Sequence, residues 1–311
     1  MEARSEELTG KARAGVGQDA QAYLSMMLGA FSFAAMGALS HLAGELCGWQ
    51  VIAAARTSVA FALSLLIALL SGVRLAVFRP RVLWVRSLVG SVGVLFAFYA
   101  LTHLPISTAI TLSNTFPIWV ALLAWPVLGY RPNSSVLLAI LAGVVGVVLI
   151  QKPYMTGGGN LAGLAALGTA LCTAIAMIGL NRLSGVDSRA VVVHFSGVST
   201  VIVTAFLLLT GAPVGQAVWN NRTLAALLVG VGVAGTAGQF GMTRAFALGH
   251  PSKVSVVGLT QIVFALAFDL ILWKHRLDAF TLCGILLVVA PTAWLLIHSP
   301  LRKAASVHTS T

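Results

Sequence analysis

Ten apolar stretches, each long enough to cross a lipid hydrocarbon core as a helix, fill this chain from residue 22 to residue 298. A crossing takes about 20 apolar residues at the helical rise. The stretches run 22–42, 49–70, 81–102, 105–128 and 133–150, then 160–182, 189–210, 223–246, 252–273 and 279–298. Turn formers mark the connections: Arg79-Pro80, Arg131-Pro132-Asn133, Gly157-Gly158-Gly159, Gly211-Ala212-Pro213 and His250-Pro251. None of these connections is long enough for a soluble domain. Composition agrees, since 58% of the 311 residues are hydrophobic and 9% are charged, against about 25% charged in a soluble domain. The expectation is an all-α integral membrane protein with ten transmembrane helices. Residues 1–21 are polar and of mixed charge, so a disordered cytoplasmic tail is expected there. Residues 22–151 and 159–298 form two five-helix units, and 299–311 a second tail. The first apolar stretch lacks a small-residue cleavage site, which predicts a retained span rather than a signal peptide.

The net charge is +11. In a soluble protein that would suggest nucleic acid, but here the basic residues lie between apolar stretches. With the N-terminus placed in the cytoplasm, twelve of the 19 Lys and Arg residues fall on the cytoplasmic side and four on the other. This bias predicts a multi-pass protein of the cell membrane with both termini cytoplasmic. The basic residues lack the interleaved aromatics of a nucleic-acid surface, so no nucleic-acid partner is expected. Cys47, Cys172 and Cys283 stand far apart with no Cys/His cluster, which indicates neither a metal centre nor a disulfide framework. No phosphate-binding P-loop motif occurs, and no cofactor is expected. The partners implied are the bilayer and a small-molecule metabolite; monomer and homodimer both stay open.

The two halves resemble each other. In the first, Phe98-Tyr99-Ala100-Leu101 leads through Pro105 to a polar-dotted helix and Leu128-Gly129-Tyr130-Arg131-Pro132. In the second, Arg244-Ala245-Phe246-Ala247-Leu248 leads through Pro251 to a similar helix and Trp273-Lys274-His275-Arg276-Leu277, offset by about 145 residues. Gly29 and Gly72 recur as Gly168 and Gly211 at an offset of 139. Five spans per half is an odd number, so the second half must enter the membrane from the opposite face. Inverted repeats of this kind mark alternating-access carriers, which hold substrate near the midplane between the halves.

Residues 86–150 carry a more specific pattern. Arg86 is followed by FAFYALTHLPISTAITLSNTFPIWVALLAWPVLGYRP and then by the helix of Gly143 and Gly146. This resembles the first half of an EamA-type member of the drug/metabolite transporter superfamily. In that family an Arg opens the third helix, a Tyr-Ala-Leu follows, and a small, polar fourth helix carries a Pro, here Pro117, before a Leu-Gly-Glu. The second half matches less closely over the same five helices. Two departures stand out: the family's Glu after Leu-Gly is Tyr130 here, with His275 as its second-half equivalent, and its Glu-Pro in the ninth helix is Gln261-Ile262. The resemblance implies ten helices in two inverted repeats, the EamA/DMT fold. It also implies a cavity lined by helices one to four and six to nine. Its substrates are amino acids, nucleotide-like metabolites, vitamins or drugs.

Polar groups inside spans are costly unless they pair or line a cavity. On helix four, Ser107, Thr111 and Asn114 share one face at i, i+4, i+7. On helix nine, Gln261 sits at mid-span. On helix eight, Gln239 stands among Gly230, Gly232, Gly235, Gly238 and Gly241, a stripe that reads mainly as close helix packing. Tyr99, deep in helix three, could offer an aromatic wall, and Met36 lies mid-span in helix one. Arg56, about a third of the way into helix two, is the best placed to pair with an anionic substrate group. Arg86 and Arg244 lie near helix ends, from which they can snorkel to the interface. Asn114, Thr111, Ser107, Gln261, Gln239, Tyr99, Arg56 and Met36 are therefore the expected substrate-binding residues. No Asp or Glu falls at the middle of any span, which predicts facilitated movement, exchange or weak coupling.

The function expected is transport of a small organic metabolite by alternating access through a cavity between the repeats. An intramembrane enzyme is the second class, with His194 and Ser199 its nearest approach to a catalytic pair; both lie on one helix with no nucleophile elbow. A passive channel is the third, and the chain lacks the ring of charges such a pore uses.

Overall fold

The computed structural model describes residues 2–103, 112–129, 133–151, 160–211, 221–273 and 278–297. These form eleven helices: α1 (Glu2–Gly44), α2 (Trp49–Leu70), α3 (Arg81–His103), α4 (Phe116–Leu128), α5 (Ser134–Gln151), α6 (Asn160–Arg182), α7 (Ser188–Thr210), α8 (Arg222–Leu248), α9 (Pro251–Gly258), α10 (Thr260–Trp273) and α11 (Ala279–Ile297). Seven helical stretches are long and apolar enough to cross a membrane, counting α9 and α10 as one. Three shorter apolar helices, Phe116–Leu128, Ser134–Leu149 and Ala279–Pro291, accompany them. Large apolar side chains such as Leu70, Leu138 and Leu209 face outward, where lipid rather than water is their solvent. The fold is thus an all-helical integral membrane protein.

Local chemistry sets the helix ends. Gly72, Gly129 and Gly211 take positive φ of 64°, 73° and 60° just after α2, α4 and α7, the left-handed C-terminal position that glycine occupies without a Cβ penalty. Asp187 opens α7 by accepting from the Arg189 amide at 2.8 Å. Asn221 opens α8 by accepting from the Thr223 and Leu224 amides. Each cap satisfies an amide that has no partner inside its helix.

Two features differ from the sequence expectation. Residues 2–21 continue α1 as helix where a disordered tail was expected. The segment is rich in Ala, Glu, Arg and Lys, which favour helix, and extending an existing helix needs no new nucleus. Helix nine is also interrupted: α9 ends at Gly258 and α10 begins at Thr260. The expected tail at 299–311 lies outside the described residues.

Packing reveals the repeat. Helices α1 to α5 correspond in order to α6, α7, α8, α9–α10 and α11. The most extensive contacts are α1 with α8, α3 with α6, α5 with α11, and α2 with α7. Exchange of the two repeats turns the α1–α8 contact into α6–α3 and returns α2–α7 and α5–α11 to themselves. The contact of α1 with α10 likewise becomes that of α6 with α4, and both are present. A pseudo-twofold axis therefore relates the halves.

Two apolar clusters lie at opposite ends of the bundle. The larger joins Tyr23, Met26, Leu83, Leu180, Phe246 and Val257 where α3 begins and α6 ends. The other joins Ala43, Val51, Ile52, Leu224, Leu228 and Val231 where α1 ends and α8 begins.

Candidate functional site

The helices on the repeat axis, α2 and α7, meet through small polar residues rather than through a leucine seam. Ser64 Oγ lies 3.0 Å from Ser196 Oγ. On the α3 side, Ser91 Oγ lies 2.7 Å from Ser199 Oγ, and Ser87 Oγ 2.8 Å from His194 Nδ1. The Ser91 hydroxyl donates its one hydrogen to the Ser87 carbonyl at 2.7 Å, so Ser199 is the donor between the two serines. In hydrocarbon such bonds contribute about 0.6 kcal/mol per pair. They fix register between helices more than they add stability.

A small hollow opens beside this seam between α2, α7 and α8. Arg56, Thr57, Ser196, Ser199 and Gln239 form its polar wall and Phe195 its aromatic one. The space open to the centre of a water molecule is about 10 Å³, room for roughly one water. Arg56 Nε donates to Met36 Sδ at 3.1 Å. Gly235 makes that contact possible: a Cβ there would lie 3.0 Å from Met36 Sδ and 3.3 Å from Arg56 Nε. Gln239 Nε2 reaches Thr243 Oγ1 at 3.5 Å, the long limit of a hydrogen bond, so its amide is loosely held.

Arg86 is the most unusual group in the molecule. It is 1% exposed, and its Nε and Nη1 have no hydrogen-bond partner among the described residues. Its Cζ stands 4.0 Å from the centroid of the Phe195 ring. A desolvated cation–π contact is worth about 2 kcal/mol, whereas an unpaired buried charge costs several kcal/mol. The ring therefore offsets only part of the burial. Gly90 gives Phe195 its space, since a Cβ there would sit 2.8 Å from Phe195 Cε2. On the other side of Arg86, a Cβ on Gly179 would meet Arg86 Cβ at 3.2 Å. His194, next to Phe195, packs edge-on to Trp84 with centroids 4.6 Å apart.

Three of the residues singled out in the sequence, Arg56, Met36 and Gln239, come together here. Asn114 is half-buried at the break before α4, and Gln261 is half-buried in the first turn of α10. Tyr99 packs with Leu112 against Ala100, Ala165 and Ala166. None of these three lines the hollow, which takes no residue from α4, α9 or α10. Ser107 and Thr111 lie outside the described residues. Arg86 does not snorkel, because α6 and α7 cover it. Arg244 is exposed. Phe195, Ser196 and the Ser87–Ser91 pair escaped the sequence reading. The available signal was a set of serines spaced three or four apart on α3 and α7, the spacing of one helix face.

Two helices outside this hollow, one in each repeat, break at equivalent places. Thr115 Oγ1 donates to the Leu112 carbonyl at 2.6 Å. At the same step of the second repeat, 145 residues on, Thr260 Oγ1 donates to the Val257 carbonyl at 2.7 Å. In both repeats the backbone tightens to three-residue bonds, Thr115 N to Leu112 O at 3.2 Å and Leu259 N to Val256 O at 3.0 Å. The hydroxyl caps a carbonyl that the interruption exposes.

Residues 20–151 and 160–297 each match the sequence pattern of the EamA-like transporter family. The chain belongs to that family. EamA-like relatives include the pseudopaline exporter CntI of Pseudomonas aeruginosa, 28% identical over 275 residues that cover 86% of this chain and 93% of the exporter. A probable transport protein of Saccharomyces cerevisiae is 25% identical over 68% of this chain and 66% of its own length. Human solute carrier family 35 member G1 is 23% identical over 66% of this chain and 59% of its own. A solved crystal structure superposes with a TM-score of 0.74 at 18% identity, covering 88% of this chain and 97% of that one, which establishes the shared fold. The chain is accordingly a membrane transporter of the EamA-like family and not an enzyme.

Proposed function

We propose that this EamA-like protein carries a small organic metabolite across the cell membrane by alternating access, with both termini in the cytoplasm. The observation that carries the reading is the pair of matched interruptions at Thr115 and Thr260. Discontinuous helices at equivalent places in two inverted repeats are where carriers hold substrate and pivot. The polar hollow beside α2, α7 and α8 supports a midplane site: Ser199 is close to the middle of α7, and Arg56 lies about 10 Å along α2 at the helical rise. As it stands the hollow admits a water and not a metabolite. Loading requires the helices to separate at one end, parting either the Tyr23–Phe246 cluster or the Ile52–Leu228 cluster.

The relative named an exporter makes outward movement the first direction to assay. Purified protein in proteoliposomes, preloaded in turn with amino acids, nucleosides and vitamins, is expected to show saturable counterflow of at least one of them. Accumulation that rises linearly with concentration for every compound would replace the carrier with a passive pore.

A further inference from the structure

Two arginines stand inside the spans around α7, and the chain supplies no mid-membrane carboxylate to face either of them. Seven of its eight acidic residues lie within the first 19 residues or in connections, and the eighth, Asp269, lies one turn from the end of α10. Arg56 spends its Nε on a thioether. Arg86 is buried with Nε and Nη1 lacking a hydrogen-bond partner among the described residues, and its Cζ lies over the Phe195 ring. That same ring walls the hollow that Arg56 enters. The structure therefore places in succession a guanidinium, a polar hollow, an aromatic ring and a second guanidinium.

A guanidinium is built to receive a carboxylate through two parallel N–H donors. A cation that is fully desolvated and unpaired gains most from an anion that arrives with the ligand. We infer that the substrate is an organic carboxylate whose negative group docks between Arg56 and Arg86, and that Phe195 is the partition whose side-chain rotation joins the two halves of the pocket. This rests on the carrier reading above and names the substrate class of its site. The ring sits in the space a Gly90 Cβ would take, 2.8 Å from its Cε2, so opening the partition means swinging the ring off the backbone of α3. Ser196 and Ser199 line the hollow; their hydroxyls, which donate to the Val192 carbonyl and to Ser91, would exchange those acceptors for a second carboxylate oxygen. A neutral substrate would leave both guanidinium groups as they are; a cationic one would be repelled by two like charges.

The test is thermal unfolding of the purified full-length protein in detergent with millimolar succinate, glutarate and citrate, each beside its fully amidated, neutral counterpart. At least one carboxylate is expected to raise the unfolding midpoint by several degrees while its amide does not, since a ligand of the folded state stabilises it. Arg86→Gln is expected to raise the ligand-free midpoint, because an uncompensated charge is gone, and to increase the concentration for half-maximal shift by about a hundredfold. Arg86→Lys keeps the charge and is expected to retain a weakened carboxylate shift. Phe195→Leu is expected to enlarge the shift by opening the partition. If Arg86 were only a packing element, Arg86→Gln would lower the midpoint and leave the carboxylate shift intact, which overturns the inference. An equal response to acid and amide, or no response to any carboxylate, overturns it too. Saturable counterflow of a neutral metabolite beside either result would leave the carrier reading standing, so the two failures are distinguishable.

Discussion

A methyl group at Gly241 would land 2.6 Å from the Ser25 carbonyl oxygen and 2.9 Å from the backbone nitrogen of Gly29. Backbone cannot step aside as a side chain can, so Gly241→Ala must push α1 and α8 apart along their whole contact. The expected cost is about 1–3 kcal/mol, the usual penalty of overpacking. Gly37, also on α1, has nothing within 4 Å of its missing Cβ. Gly37→Ala is therefore expected to be neutral or stabilising by up to about 1 kcal/mol, the helix-propensity gain. Unfolding midpoints of the two variants in one detergent check this, and equal shifts would refute the packing account of the glycine stripe. Periodicity alone revealed that stripe, because spacing fixes which residues share a face. It could not reveal which helix the face meets. The same limit explains Arg86: its position near a helix end suggested an exposed head group, but α6 and α7, which periodicity does not place, close over it. Arg56, Met36 and Gln239 were legible as polar or flexible residues at mid-span, whereas Phe195 looked like any apolar residue until Arg86 was found against its ring.

At the scale of the element, the decisive features are the interruptions before α4 and between α9 and α10. The first had a local signal: Pro117 lacks an amide hydrogen, and Asn114 and Thr115 offer side chains that compete with the helix ladder. The second has no proline. Gly258 and Thr260 flank it, and a Cβ on Gly258 would lie 2.6 Å from Met26 Cε, so the break falls where α1 packs closely, a contact that sequence spacing does not report. This is why helix nine read as one span. Thr115→Val and Thr260→Val keep the shape of each side chain and remove the hydroxyl that caps the exposed carbonyl. Each is expected to cost no more than about 1.5 kcal/mol of stability, the net worth of one hydrogen bond. The double variant is expected to lose most counterflow while remaining folded, because both pivots lose the alternative partner for their carbonyls. Wild-type rates from a folded double variant would show that the interruptions are packing features without a part in transport.

For the whole molecule the question is whether the halves are inverted. The contacts established a twofold relation, and if each unit makes the five crossings expected from the sequence, the axis must lie in the membrane plane, since an odd number of crossings reverses the side on which each unit begins. Gly72 and Gly211 make this testable with small changes. They are equivalent positions, 139 residues apart, and both end their helices at positive φ, 64° and 60°. Their preceding residues, Ser71 and Thr210, close the same structural corner in each repeat, so any method that reports one corner reports the other. After Cys47, Cys172 and Cys283 are replaced by alanine, Ser71→Cys and Thr210→Cys are expected to react with a membrane-impermeant maleimide from opposite sides of the membrane. The weight of Lys and Arg in the connections assigns Ser71 to the cytoplasmic face and Thr210 to the other. Right-side-out vesicles should therefore label only the Thr210 variant, and inside-out vesicles only the Ser71 variant. Labelling of both from one side would mean parallel repeats. The α1–α8 and α3–α6 contacts could then no longer be exchanged by an in-plane axis, and a midplane site reached from each face in turn would lose its geometric basis.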